Sequence, residues 1–160
     1  MSDNSIEKPC LKIEDTMNSV LSGDTLTNAL SFAAFLSEND MAAGGEHGAV
    51  SYKSEVVCYM HIDGAEQMPG PWTIWPEGDY SSERENVLLG EGLKEIAWKN
   101  VNFCGDCGAG CSPGNRKAIF GKEFDNVCGA VMAFTDPCAE TLECVKKLLE
   151  MRKLAISNPV

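Results

Sequence analysis

Between Cys104 and Gly114 the chain carries three cysteines and four glycines within eleven residues. Glycine weakens helix and strand interiors alike, so this stretch has to be a loop, and it separates everything before it from the hairpin and helix that follow. Its first part, Cys104-Gly105-Asp106-Cys107-Gly108, reads C-x-x-C-G, and Cys111 comes three residues later. A C-x-x-C spacing lets two thiolates reach one tetrahedral ion at about 2.3 Å. The glycine after the second cysteine tolerates positive φ and lets backbone N–H groups turn towards the sulfurs. Cys107 and Cys111 are close enough in the chain to close on the same ion.

Cys128, in the strand beyond the loop, is the expected fourth ligand, with Cys58, His47 and His61 as alternatives. Zinc is the metal this set favours, and an Fe–S cluster is the alternative. Reduced, unliganded thiols in a glycine-rich loop are the bland reading of the same residues. Four thiolates on Zn²⁺ leave a net charge of −2, and Lys99, Arg116 and Lys117 flank the loop as counter-charges. A thioredoxin-like dithiol fits less well. Reactive thiolates sit at helix N-termini or beside cations, whereas Cys104 follows the C-terminal end of an expected helix and Asp106 adds negative charge.

The rest of the composition narrows the class. Lys and Arg number 13 against 24 Asp and Glu, a formal net charge of −11, which opposes binding to phosphate backbones and anionic membranes. No apolar run approaches a membrane span, and Met1–Pro9 has no apolar signal region. Eight cysteines without a signal segment point to a cytoplasmic protein with metal or redox thiols before structural disulfides. The length, 160 residues, suits one core.

Periodicity predicts an irregular segment over residues 1–23 and a single α+β domain over 24–157. A helix capped by Asp24 is expected from Thr25 to Asn39, with Leu26, Ala29, Leu30 and Ala33 on one face. Two strands joined by a tight turn at Lys53-Ser54 follow, then a short strand from Trp72 to Trp75 closed by Pro76. A second helix is expected over Asn86–Val101, weakened by Gly90 and Gly92 at about 1 kcal/mol each. A hairpin pairs Arg116–Phe120 with Val127–Phe134 across a loop beginning at Gly121. The last helix has Asp136 as N-cap and Pro137 at its first position. The expected architecture is one antiparallel sheet of about five strands with three helices on one side, in the order α-β-β-β-α-β-β-α.

A second candidate site lies on the strands. Tyr59 and His61 share one strand face, and Trp72 and Trp75 occupy the next strand, so an uncovered face would make an aromatic pocket for a small-molecule ligand. The ordinary reading is that aromatic residues simply favour strands. No nucleophile–base pair or complete catalytic motif accompanies His61, so no catalytic residue is assigned. Lys99, Arg116, Lys117 and Lys122 form a basic group that reads either as an anion site or as a solvated, charge-balancing patch. Cys58 and Cys138 read as core residues.

Four stretches together carry a resemblance: PGPWTIWPE (Pro69–Glu77), EIAWKNVNFCGDCG (Glu95–Gly108), CSPGNRKAIFGKEFDNVC (Cys111–Cys128) and DPCAETLECVKKLLEMRK (Asp136–Lys153). Over residues 50–155 the chain resembles small cysteine-containing α+β proteins of gut anaerobes. Its closing hairpin and helix are similar to YdhG-like domains of unknown function. The resemblance implies an α+β fold and a regulatory or ligand-binding context, and it supplies no activity and no catalytic residues. The acidic chain has no helix-turn-helix of its own, so direct nucleic-acid binding is not implied. The expected protein is thus a small binding protein with a cysteine-held structural metal. The alternatives are a thiol-dependent redox enzyme or sensor, or an Fe–S protein.

Overall fold

The computed structural model describes residues 9–44, 48–62, 71–78, 80–81, 83–104 and 114–158. In chain order the elements are α1 (Pro9–Val20), α2 (Gly23–Glu38), β1 (Ala49–Tyr52), β2 (Glu55–Ile62), β3 (Trp72–Pro76), α3 (Glu83–Leu88), α4 (Glu91–Lys99), β4 (Val101–Phe103), β5 (Asn115–Ile119), β6 (Lys122–Met132), β7 (Phe134–Thr135) and α5 (Ala139–Ser157). The mixed α+β class holds. Among the described residues there are five helices where three were expected, and two antiparallel sheets instead of one, ordered β1-β2-β3-β7 and β4-β6-β5.

Each difference has a local cause. The segment expected to be irregular contains α1, because Ile13, Met17 and Leu21 bury themselves at helical spacing, and α1 packs on α2. The helix expected over Asn86–Val101 is two helices, broken where Gly90 is extended at φ −65°, ψ 154°. Val101 then leaves the helical stripe and opens β4, paired with Met132. The loop expected from Gly121 is a two-residue turn. Phe120 and Gly121 sit at φ 48° and 85°, the type I′ signature that matches strand twist, so β6 already begins at Lys122. Lys53 and Ser54, at φ 50° and 68°, make the expected tight turn in the same way.

The chain changes sheets once along a nearly continuous strand. β6 ends at Met132, Ala133 donates its N–H to the Asn100 carbonyl at 3.0 Å, and Phe134 pairs with Ile74 in the other sheet. A strand that turns a corner in this way joins two sheets around a shared interior. The helix-covered face of the four-stranded sheet carries Cys58, Met60, Trp72, Ile74 and Phe134, all buried. Phe32 of α2 meets Trp72 there at 5.9 Å between ring centroids, and α5 packs on β2 and β3 through its buried Leu142–Met151 stripe. Each such large apolar side chain, fully buried, contributes about 1.5–3 kcal/mol. Among the described residues no helix is long and apolar enough to cross a membrane.

Candidate functional site

The cysteine loop leaves from one edge strand and returns to the other. Phe103 of β4 and Asn115 of β5 both pair with Val127 of β6, the strand between them. The two ends of the loop therefore lie two strand spacings apart, roughly 10 Å, on either side of the middle strand. Asn126 holds the Cys104 end and lies tightly against the Gly114 end. Its carbonyl accepts the Cys104 N–H at 2.7 Å and its side-chain amide donates to the Cys104 carbonyl at 2.9 Å. On the other side Gly114 lies so close that a Cβ there would sit 2.6 Å from the Asn126 carbonyl carbon. Asn126 adopts φ 59°, a left-handed conformation that asparagine tolerates better than most residues. β6 is bulged around it on the β5 side, where Asn115 pairs with Val127 but Lys117 with Phe124, and a second irregularity towards β4 lies between Val127 and Met132.

Of the four expected metal ligands, Cys104 and Cys128 are described, and both are half-buried. Cys128 lies on the middle strand, two residues past Asn126. Cys107 and Cys111 fall outside the described residues, as does the alternative ligand His47. Among the described residues no three His, Cys, Asp or Glu side chains come together as a metal site. The proposed counter-charges are engaged differently from one another. Arg116 pairs with Glu123 at 2.5 Å and with Asp125 at 3.6 Å, while Lys99 closes α4.

The other described cysteines divide by environment. Cys58 is buried beneath the helices, and desolvation, with Glu77 nearby, pushes its thiol well up. Cys144, buried on α5, is pushed up to about 12 by desolvation alone. Cys138 is not the core residue expected. It is exposed and is the N-cap of α5, displacing Asp136 from that role, because Asp136 sits at φ 44° and accepts the Thr25 hydroxyl instead. The hydrogen bond with the Thr141 hydroxyl, 3.3 Å from the sulfur, holds the Cys138 thiol below its ordinary value, aided by backbone bonding in the first helical turn.

The aromatic set is only partly brought together. Tyr59 pairs directly with Trp75, and His61 with Thr73, so Tyr59, His61 and Trp75 share one face of β2 and β3. Trp72 pairs with Ile62 and points to the opposite face, fully buried against Phe32. It is a core residue and lines no surface with Tyr59. Two rows of the same strand necessarily face opposite ways, and the helices cover the Trp72 row.

Sequence reasoning missed Asn126, the residue against which both loop ends are set. Its signal was present in Asp125-Asn126, a pair apt for turns and left-handed backbone, but an expected loop over residues 121–126 absorbed it. No protein-family model, curated protein or solved structure matches this chain.

Proposed function

We propose that the protein is a small binding protein whose Cys104, Cys107, Cys111 and Cys128 hold a structural metal, zinc in preference to an Fe–S cluster. The observation that carries this reading is the strand order β4-β6-β5, which sets Cys128 on the middle strand between the two ends of the loop bearing the other three cysteines. The pairing of Phe103 and Asn115 with Val127, together with the Asn126 bond to Cys104, supports it, because fixing both loop ends lowers the entropy lost when the thiolates converge. Bound there, the ion would tie the two edge strands across β6 and take no part in chemistry, since four thiolates fill its coordination sphere. A reducing compartment such as the cytoplasm suits these thiols. The face bearing Tyr59, His61 and Trp75 is the proposed contact for a small molecule, in keeping with the ligand-binding context that the resemblance implies.

Metal analysis of protein purified without added metal tests the reading, with Cys111→Ser as the comparison. About one equivalent of zinc in the wild type, reduced in the variant together with its melting temperature, is the expected result. Less than about 0.2 equivalents of any transition metal in the wild type removes the proposal, because structural zinc is held stoichiometrically. Brown colour after anaerobic purification would assign an Fe–S cluster instead.

A thiol-based reading rests on a different residue from the C-x-x-C pair. Cys138 is exposed, caps a helix N-terminus and has a lowered pKa, the setting in which thiolates become reactive. Alkylation at neutral pH faster than that of a free cysteine favours a redox or sensor role for it, and ordinary rates remove that role.

A further inference from the structure

We infer that the cleft lined by β5 on one side and by Gly78, Tyr80 and Ser81 on the other binds a small molecule with one phosphate or carboxylate group on an apolar body. The inference does not rest on the metal or on the thiols. The cleft has a volume of about 380 Å³, at the lower end of the range for small-ligand sites. Its apolar wall is made by Tyr80, Ala118, Ile119 and Val131, and its polar end by Arg116 and Lys117.

The walls are held rigidly. The Phe120 N–H donates to the Tyr80 carbonyl at 2.9 Å, and the two rings pack at 5.6 Å, which locks the turn to the end of β5. Gly78 packs tightly beside them, since a Cβ there would meet the Tyr80 ring at 3.0 Å and the ring would have to give by a few tenths of an ångström. Tyr80 is 6% exposed, and its buried hydroxyl has no hydrogen-bond partner among the described residues. The charges that act on it are those of Glu77, Glu85 and Arg152, so Tyr80 serves the cleft as a wall and not as a donor.

Charge selects the ligand class. Of the four basic residues grouped in this part of the sequence, Arg116 is paired with Glu123 and Asp125, Lys122 lies over the Trp98 and Phe124 rings, and Lys99 is exposed at the end of α4. Lys117 is half-buried in the cleft wall and has no carboxylate within salt-bridge reach among the described residues. In a chain of net charge −11, an ammonium in a concave site with no ion-pair partner among the described residues is where an anion gains most. The ion pairs of Arg116 use its Nη2 and Nε atoms, which fixes the guanidinium and leaves Nη1 to donate.

Titration of the intact ¹⁵N-labelled protein with phenyl phosphate tests the inference, with inorganic phosphate and phenol as its separate halves and benzoate as the carboxylate. Saturable shifts at Tyr80 and Lys117–Ile119 are expected, with phenyl phosphate or benzoate binding more tightly than either half. The tighter of the two identifies the anionic group. Lys117→Ala should weaken that binding about tenfold, the scale of one lost charge-assisted hydrogen bond, without moving the melting temperature. Lys117→Met, which keeps the apolar stem, should weaken it equally. Shifts that do not saturate, shifts scattered over the surface, or affinity unchanged in both Lys117 variants would overturn the inference.

Discussion

Replacing Gly114 by alanine tests whether Asn126 really clamps the loop ends. The sign depends on two opposing effects. Gly114 does not have positive φ, so adding a methyl group would by itself stabilise the fold by about 0.4–1 kcal/mol through the unfolded chain. Against that, the new Cβ would lie 2.5 Å from Asn126 Oδ1, 2.6 Å from its carbonyl carbon and 2.7 Å from its carbonyl oxygen. Overpacking of this kind costs about 1–3 kcal/mol, and two of the three atoms are backbone that cannot rotate away. The clash therefore wins. At about 2–4 °C per kcal/mol for a chain of this size, thermal unfolding followed by circular dichroism should show a fall of about 3–8 °C. Asn126→Gly removes the Oδ1 contact and the amide bond to Cys104 but leaves both backbone contacts, so it should not rescue Gly114→Ala. Gly129→Ala is the matched control on the same strand, because nothing lies within 4 Å of its Cβ position. It should be about 0.4–1 kcal/mol more stable than wild type. A melting temperature for Gly114→Ala equal to or above that of Gly129→Ala would refute the clamp.

Iodoacetamide mapping by mass spectrometry should label Cys138 well before Cys58 and Cys144. The rise of Cys144 to about 12 from 9.0 cuts its thiolate fraction about a thousandfold before burial is counted, so equal rates at Cys138 and Cys144 would contradict the assigned environments. Stability should fall in alkali. Burial raises the Tyr80 pKa above its ordinary 10.0, so the folded state keeps a proton that the unfolded chain releases, and its contribution is complete below about pH 10 and lost as pH rises further. Urea midpoints for wild type and Tyr80→Phe should therefore diverge between neutral pH and about pH 11, the variant losing less; parallel curves would reject that origin. Phe32→Ala, which removes the ring between Phe35 and Trp72, should cost about 3–5 kcal/mol in denaturant unfolding, and a loss below about 1 kcal/mol would deny the helix-covered core.

Several features were readable where the cause is confined to a few neighbouring residues. The Lys53-Ser54 turn and the strand from Trp72 follow from backbone sterics that act locally, whereas Gly90, expected only to weaken one helix, divides it into two. The same reasoning erred where two local signals competed. Asp136-Pro137 reads as a cap and first helical turn, yet the contact between Asp136 and Thr25, 111 residues away, draws the aspartate aside and leaves Cys138 to cap α5. The Tyr59–Trp75 pairing was half-legible, because alternation says which side chains share a face but not which face a helix will cover.

The sequence alone determined that a cysteine- and glycine-rich loop would interrupt a small acidic α+β chain, since composition and spacing are properties of the string itself. Only the tertiary structure decided that the two ends of this loop flank β6, that Trp72 turns inward while Trp75 does not, and that Lys117 and Tyr80 line one cleft. Those outcomes depend on strand order and on the surfaces that helices bury. Both are settled by contacts between residues far apart in the chain, which no local pattern of side chains encodes.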